Sequence, residues 1–270
     1  MKRQSLLKEE FYLKGKVEDC PIYDLHGHMG PFYGIYFPYA DILSMKRIMD
    51  KVGVKLLVFC HHYALFSPDI GNTANVEAVR RFPESFRAYL LINPNYPEII
   101  ERDLEAFSNY SDIYVGLKLL PDYHRVPISN IAYKSVWNFA EEKSLIVLVH
   151  TWGGSIYDGP EEVRKIAEKY HKVKILMGHS CHGEWDKAIR LVKDFPNIYL
   201  DLCAVLDDRG VLEKFVAELG SDRILFGTDF PWFSYYYYIG AVLGADITDE
   251  DRRNIFYRNA ERLLQNGINR

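Results

Sequence analysis

The chain has 270 residues, a hydrophobic content of 48% and a formal net charge of −4 at pH 7. This length fits one large α/β domain, and the slightly acidic balance gives no broad positive field for binding nucleic acid or an anionic membrane. No uninterrupted apolar stretch of about 18 residues occurs, and the basic N-terminus lacks the apolar segment of a secretory signal. Four cysteines without a CxxC pair favour a reducing, cytoplasmic location.

Short apolar, β-branched runs recur along the chain at intervals of roughly 30 residues, the length of one strand plus a crossover helix. We predict eight strands, at Pro21–His28, Val54–His61, Phe86–Asn93, Ile113–Leu120, Leu145–His150, Val173–His179, Asn197–Cys203 and Arg223–Asp229. Helical periodicity between them predicts helices at Asp41–Lys51, Ile131–Lys143, Glu161–Tyr170, Trp185–Asp194, Val211–Leu219 and Thr248–Gln265.

Strands that alternate with helices, without a linker or a break in composition, predict a single α/β domain over residues 1–270. Its fold class is expected to be a (β/α)8 TIM barrel with residues 1–20 as a short N-terminal extension. An open doubly wound sheet is the alternative architecture, but no glycine-rich nucleotide-binding motif follows any predicted strand.

The histidines concentrate at one end of this predicted barrel. Eight of the nine lie at strand ends or in the loops that follow them, where barrel enzymes place their chemistry. Residues two apart in a strand point to one face, so Asp24, His26 and His28 are expected to face the barrel axis together, with Tyr23 and Leu25 packing outward. Two imidazoles so placed can chelate one ion from a single strand.

Two further strand ends complete a candidate metal site. His150 ends the fifth predicted strand, and Asp229 ends the eighth, which neighbours the first when the barrel closes. Together with His26 and His28 they can converge on the axis, and three imidazoles with one carboxylate suit one divalent ion, zinc in the first instance. Manganese, iron and cobalt are the alternatives. Gly227 is expected to leave open volume beside Asp229.

Two more polar residues are expected near this site. His179 ends the sixth predicted strand, and we assign it to proton transfer or oxyanion stabilisation, with Met177 and Ile175 on the same inward face. Lys118 is expected to face the barrel interior, where a buried lysine must find a partner or lose its charge. We favour an ion pair with Asp24, followed by binding of a substrate carboxylate.

The loops after the strands supply candidates for contact with a substrate. Their aromatic side chains suit a flat or apolar organic molecule, and are equally compatible with covering the barrel top or with a homodimer interface. We select Lys118, His61, Trp152, Tyr157 and Trp232, within a wider group formed by Phe32, Tyr33, Tyr36, Phe37, Tyr39, Phe233 and Tyr235–Tyr238. The pair His61–His62 is expected to supply one core and one surface side chain. Inert packing is expected for Cys60, Cys181 and Cys203.

Several segments resemble the amidohydrolase superfamily, in particular its amidohydrolase-related branch, which also contains decarboxylases and lactonases. The resemblance rests on Ile22–His28, Gly116–Leu119, His150, Gly178–Ser180, Phe226–Pro231 and Asn259–Ala260, which follow the expected order over nearly the whole chain. It implies that the four residues of the candidate metal site bind the ion, that His179 activates water or polarises the substrate, and that Asp229 accepts a proton from water. Some members carry a carboxylated lysine that bridges two metals, so a binuclear site at Lys118 is the less favoured alternative.

These features predict a metal-dependent hydrolase that cleaves an amide, ester or lactone bond of a small organic molecule through metal-activated water. A metal-dependent decarboxylase of an aromatic or unsaturated carboxylic acid is the first alternative, with His179 or Asp229 protonating carbon. A non-catalytic metal-binding barrel is the alternative from another class of protein. The complete ligand set together with His179 argues against that third hypothesis.

Overall fold

The computed structural model describes the backbone of residues 5–268 and the side chains of residues 5–265. Within them, eight parallel strands form one sheet in chain order. The strands are β1 (Ile22–Met29), β2 (Val54–His61), β3 (Phe86–Ile92), β4 (Tyr114–Leu119), β5 (Ile146–Trp152), β6 (Lys174–His182), β7 (Ile198–Asp201) and β8 (Ile224–Leu225). Helices separate the strands, so the chain forms a single (β/α)8 TIM barrel, as the sequence predicted.

Backbone hydrogen bonds between β1 and the segment after β8 close the barrel. The donor–acceptor pairs are Leu25 N to Phe226 O (3.0 Å), Asp229 N to His26 O (2.8 Å) and His28 N to Phe230 O (2.7 Å). Asp229 was expected to end the eighth strand, but β8 has only two residues and Asp229 follows it with a left-handed φ of 60°. This left-handed conformation changes the direction of the backbone at Asp229 itself.

The helices cover the outside of the sheet. They are α1 (Leu6–Lys14), α2 (Ile42–Val52), α3 (Pro68–Arg81), α4 (Pro97–Ala106), α5 (Pro121–His124), α6 (Lys134–Glu142), α7 (Pro160–Ala167), α8 (Trp185–Asp194), α9 (Val211–Leu219), α10 (Tyr235–Gly244), α11 (Asp249–Arg253) and α12 (Asn259–Ile268). The predicted bounds of α8 and α9 are those observed. The predicted final helix is divided by a π turn at Asn254–Arg258, and Thr248 and Asp251 form a capping box at its start.

Five helices lie where no helix was predicted, namely α1, α3, α4, α5 and α10. Helix α1 falls within the predicted N-terminal extension, and the ring of Phe11 lies 6.1 Å from that of Tyr236 in α10. Helix α10 contains the run Tyr235–Tyr238 that was expected near the substrate; Tyr235 and Tyr238 are buried in the core and Tyr237 is exposed. Among the helices of the described residues, none has the length and hydropathy needed to cross a membrane.

A separate apolar cluster fills the barrel interior. Its buried members include Leu25, Val58, Tyr89, Leu148, Leu176 and Leu225, contributed by six different strands. The larger cluster lies between the strands and the surrounding helices. Because the interior is packed, the space for a ligand is restricted to the C-terminal ends of the strands.

Candidate metal centre

A cavity of about 190 Å³ lies at the C-terminal ends of the strands, among most of the histidines of the chain. It is lined by His26, His28, His61, His62, His150, His179, Lys118, Asp229, Cys60, Phe32, Tyr123, Trp152, Trp232, Phe233, Leu65, Leu91, Leu120 and Ala204. Ligand pockets commonly measure about 300–1,000 Å³. The cavity is therefore small, and it suits a molecule with a single ring.

The side chains of β1 and of the segment after β8 meet at the base of this cavity. Oδ1 of Asp229 lies 3.0 Å from Nε2 of His28 and 3.3 Å from Nε2 of His26. Oδ1 is buried, yet it accepts no hydrogen bond of good geometry from the described residues. Three ligand-type atoms thus face one another without directed hydrogen bonds between them, which is the arrangement expected of a preorganised cation site.

Strand β1 departs from strict alternation, because its pairing register with β2 shifts within the strand. Leu25 packs inside the barrel, and the next residue, His26, faces the cavity with His28. Asp24 instead accepts a hydrogen bond of 2.5 Å from Thr228 Oγ1. The expectations that Asp24 shares the face of the two histidines and that Leu25 packs outward are therefore wrong. A bulge of this kind turns the side chains that precede it to the opposite face of the sheet.

Two of the site histidines contact buried carboxylates through Nδ1. His26 Nδ1 lies 3.0 Å from Asp201 Oδ1, and His150 Nδ1 lies 2.9 Å from Asp158 Oδ2. Burial raises the pKa of Asp201 to about 7, so this carboxylate is ionised in mildly alkaline solution. An ionised carboxylate only accepts hydrogen bonds, so the imidazole of His26 carries its hydrogen on Nδ1 and directs its Nε2 lone pair into the cavity, where Nζ of Lys118 lies 2.9 Å away.

Neither of these aspartates was selected from the sequence. Asp201 is the last residue of β7, so the strand-end criterion that identified Asp229 would also have identified it if the predicted strand had not been extended to Cys203. Asp158 lies in the loop after β5, and nothing in its local sequence points to His150.

The other two site histidines contact thiols. His28 Nδ1 lies 3.3 Å from Cys60 Sγ, and His179 Nδ1 lies 3.1 Å from Cys203 Sγ. Both thiols are buried, but they contact histidines of the site, which corrects the expectation of inert packing. Cys181 contacts the sulfur of Met177 and remains a packing residue.

One group of ligand-type atoms lies within 4.8 Å of one another, and its members are His26, His179, Cys203 and Asp229. It shares two residues with the predicted ligand set. His150 lines the same cavity outside this group, with its ring centroid 4.8 Å from that of His179.

The position of His179 depends on an unusual backbone. Three consecutive residues, His179–Cys181, have left-handed φ values of 65°, 49° and 53°. Met177 and Ile175 pack in the outer core cluster, whereas Leu176 lies in the barrel interior. The predicted common face of His179, Met177 and Ile175 is therefore wrong. Regular alternation would have turned His179 away from the cavity, and the left-handed turn brings it back.

The space beside Gly227 is filled by a carboxylate. A Cβ atom at this glycine would lie 2.0 Å from Asp201 Oδ2 and 2.9 Å from His26 Cβ. The expected open volume is therefore absent from this position, and the missing side chain allows Asp201 to reach His26.

Lys118 is fully buried and its Nζ lies 2.9 Å from Nε2 of His26. No carboxylate oxygen of the described residues lies within 4.0 Å of it, so the predicted ion pair with Asp24 is wrong. The register shift in β1 is the cause, because it directs Asp24 towards Thr228. Lys118 thus presents a positive charge to the cavity, where its field lowers the pKa of Asp201.

The remaining predicted residues divide between the cavity and its surroundings. Trp152, Trp232 and His61 line the cavity, and Tyr157 does not. His61 and His62 are both buried, so the expectation of one core and one surface histidine is wrong. Of the wider aromatic group, Phe32 and Phe233 line the cavity, while Tyr33, Tyr36 and Tyr39 are exposed. Tyr123, which the sequence analysis missed, also lines it.

The site carries strongly perturbed protonation equilibria. Burial alone would raise the pKa of Asp229, but His26 and His28 hold it well below its usual range. Burial lowers the pKa of His26 and of His179 well below the usual value, so both are neutral. Burial alone would lower the pKa of His28, yet Cys60 and Asp229 raise it to about 9. A cation that binds His28 must therefore displace its proton.

Solved structures share this fold. An uncharacterised TIM-barrel protein from Bordetella bronchiseptica superposes with a TM-score of 0.76 at 18% identity, covering 93% of this chain and 100% of its own. A dihydroxybenzoic acid decarboxylase from Polaromonas sp. JS666, with bound manganese and the inhibitor 2-nitroresorcinol, gives a TM-score of 0.71 at 17% identity, covering 93% and 98%. At such identities the likeness supports the fold.

The chain is also similar in sequence to a decarboxylase. A gamma-resorcylate decarboxylase from Polaromonas sp. is 26% identical over 149 residues, which are 48% of this chain and 42% of that relative. The alignment thus spans less than half of the relative's length. The family model for amidohydrolases matches residues 71–265, well over half of the 270 residues. The chain therefore belongs to the amidohydrolase family.

Proposed function

We propose that this protein is a metal-dependent decarboxylase of a small aromatic carboxylic acid. The observation that carries the proposal is the meeting of His26 Nε2, His28 Nε2 and Asp229 Oδ1 at the base of a small cavity with aromatic walls. Relatives named as decarboxylases of gamma-resorcylate and dihydroxybenzoic acid support it. They favour the alternative raised by the sequence over the hydrolase that the sequence placed first.

The residues present fit a divalent cation. The buried Oδ1 of Asp229 lacks a hydrogen-bond donor of good geometry. His26, whose Nδ1 contacts Asp201, directs the lone pair of its Nε2 towards this oxygen. We propose His26, His28, His150 and Asp229 as the ligands. Imidazole and carboxylate suit manganese as well as zinc, and the manganese-bound relative makes manganese the first ion to test. The bound ion would supply Lewis-acid binding of substrate oxygen atoms.

The side chains that line the cavity would bind the substrate acid. We propose that Lys118, a buried positive charge at the cavity, attracts the substrate carboxylate. The ring would lie between the aromatic side chains of Trp152, Tyr123 and Trp232, which border the same space. These flat apolar surfaces also exclude water, which strengthens every charge interaction in the site.

The reaction requires one proton for each molecule of acid. The bond from the ring to the carboxylate carbon breaks, carbon dioxide leaves, and the electron pair that remains on the ring carbon takes up a proton to form a C–H bond. We assign this proton transfer to Asp229, which rests ionised because its pKa is low and must therefore first take up from solvent the proton that it delivers. We assign to His179, neutral and bonded at Nδ1 to Cys203, the stabilisation of negative charge on a substrate oxygen.

The test uses protein stripped of metal with a chelator and reloaded with manganese or zinc. Gamma-resorcylate and other hydroxybenzoates are supplied, and the phenol product and carbon dioxide are measured. A parallel panel of lactones, esters and amides is followed by acid release. We expect carbon dioxide and phenol in equal amounts from at least one hydroxybenzoate, only after metal is restored.

The Asp229→Asn variant is the reference for background reaction. Hydrolysis in the second panel without carbon dioxide release in the first would overturn the proposal in favour of the hydrolase. Full metal loading with no turnover in either panel would favour a non-catalytic barrel.

A further inference from the structure

His62 occupies the centre of a cluster of rings at the rim of the cavity. Its ring stacks between those of His28 and Phe37, at centroid distances of 4.9 Å and 5.5 Å and interplanar angles of 11° and 12°. Phe32 and Trp232 contact it edge-on, at 5.2 Å and 5.9 Å. We call His62, Phe32, Phe37 and Trp232 the rim cluster.

Both ring nitrogens of His62 are engaged in hydrogen bonds. Nδ1 lies 2.7 Å from the carbonyl oxygen of Gly30, and Nε2 lies 3.0 Å from Nε1 of Trp232. A carbonyl oxygen only accepts and an indole nitrogen only donates, so His62 carries its hydrogen on Nδ1 and accepts at Nε2. With both nitrogens committed, this histidine has no lone pair left for a metal and no free site for proton transfer.

These bonds join segments that are distant in the chain. Gly30 and Phe37 belong to the loop after β1, His62 follows β2, and Trp232 lies in the loop after β8. The first of these loops begins at Gly30, two residues after His28, and the last contains Asp229, three residues before Trp232. His62 therefore sets the separation of two aromatic loops at the place where they border the cavity, and its ring also limits the rotation of the His28 imidazole.

We propose that His62 is a positioning residue that determines specificity: it holds Trp232 and the 30–37 loop at a fixed separation, which restricts the cavity to a single planar ring. The inference rests on the proposed function for the class of substrate. The rim structure itself is independent of that function. Phe32 and Trp232, with ring centroids 5.0 Å apart, form the part of the wall that would separate if the hydrogen bond were lost.

The experiment compares His62→Phe, which keeps a stacking ring and loses both hydrogen bonds, with Trp232→Phe, which keeps a ring and loses only the indole donor. Trp185→Phe is the matched control, because Trp185 also contacts a histidine ring, that of His182 at 5.0 Å, but lies outside the cavity lining. The probes are gamma-resorcylate, with one ring, and 1-hydroxy-2-naphthoate, with two fused rings. Metal content, KM and kcat are measured for each manganese-loaded protein.

We expect both rim variants to raise KM for the one-ring acid about tenfold, the effect of losing the hydrogen bond between His62 and Trp232 that both variants remove, with kcat changed less than about threefold. Relative use of the two-ring acid should rise, metal content should stay at the wild-type level, and Trp185→Phe should match the wild type. The double variant should be no worse than His62→Phe alone, because His62→Phe already removes the hydrogen bond that Trp232→Phe removes. A fall in kcat at constant KM, loss of metal, or additive effects would overturn the proposal.

A second readout keeps this test separate from that of the proposed function. In proton NMR spectra, the indole N–H signal of Trp232, assigned from its absence in Trp232→Phe, should exchange slowly with water and should lose that protection in His62→Phe. If the wild type decarboxylates neither acid, the proposed function fails and the role of His62 is decided by this signal. Fast exchange of the indole N–H in the wild type would contradict the inference whatever the activity.

Discussion

Nδ1 of His26 lies 3.0 Å from Oδ1 of Asp201, and both side chains are buried. Asp201 comes from the last position of β7, so the orientation of a β1 side chain is fixed by the next strand but one around the closed barrel. The remaining oxygen of Asp201 has no hydrogen-bond partner among the described residues, and it occupies the space left by Gly227. The carboxylate thus acts on the site through the histidine that it orients.

Asp201→Asn should weaken metal binding about 10- to 100-fold, the usual effect of removing a carboxylate behind a ligating histidine. The amide keeps an acceptor oxygen but loses the charge that favours the Nδ1–H form of His26 and the bound cation. The measurement is titration calorimetry of chelator-stripped protein with manganese. Asp158→Asn should act in the same direction through His150, and Asp222→Asn, on an exposed side chain far from the cavity, is the control. Equal affinity in all three variants would contradict this role of Asp201.

Lys118→Met should stabilise the metal-free protein while impairing its function. Lys118 is fully buried without a carboxylate of the described residues within 4.0 Å, so its charge has a desolvation cost that methionine of similar volume avoids. We expect the free energy of unfolding in urea to rise by about 1–3 kcal/mol. KM for a carboxylate substrate should rise in the same variant. Lys172→Met, on an exposed side chain, should change stability by less than about 0.5 kcal/mol. A loss of stability in Lys118→Met would show that the contact of Lys118 with Nε2 of His26 outweighs the desolvation cost of its charge.

The arrangement of strands and the meeting of His26, His28 and Asp229 could be predicted from the sequence, because strand ends of a parallel barrel all lie at one rim. The side of the sheet to which neighbouring side chains point could not be predicted. The register shift in β1 and the left-handed turn at His179–Cys181 each change which residues face the barrel interior. Simple alternation carries no signal for either of them.

The buried partners of the histidines were also beyond sequence reasoning. The pairing of His26 with Asp201 joins residues 175 positions apart, and only the closed barrel places them together. The tyrosines of α10 gave a misleading signal, since four consecutive aromatic residues on a helix point in different directions. Two of them became core residues, and none of the four lines the cavity.

Gly227→Ala should destabilise the protein by about 1–3 kcal/mol, because the new methyl group would collide with Asp201 and His26. Urea denaturation of metal-free protein measures this effect without involving the cation. Gly240→Ala in α10 is the matched control: a Cβ there meets no atom within 4 Å, and alanine should stabilise the helix by about 0.5–1 kcal/mol. If both substitutions were equally harmless, Asp201 would have room to move and would not be held against His26.

His124 should make stability depend on pH below neutrality. Its Nε2 lies 2.8 Å from the carbonyl oxygen of Leu65, its Nδ1 is buried without a partner among the described residues, and burial lowers its pKa to about 4. Because the folded pKa lies below the unfolded value of about 6.5, the stability contributed by the neutral form is complete above pH 6.5 and is lost as the pH falls towards 4.

The measurement compares the free energy of unfolding of wild type and His124→Gln in urea at several pH values. The difference between the two proteins cancels the contributions of the other histidines, which both share. The wild-type advantage should shrink by about 2 kcal/mol between pH 7.5 and pH 5, since only the wild type must take up a proton at this position on unfolding. His171→Gln, on an exposed side chain of the opposite rim, should show no such trend. A constant difference between wild type and His124→Gln across this range would mean that His124 has the same pKa in the folded and unfolded protein, which would contradict the lowering of its pKa by burial.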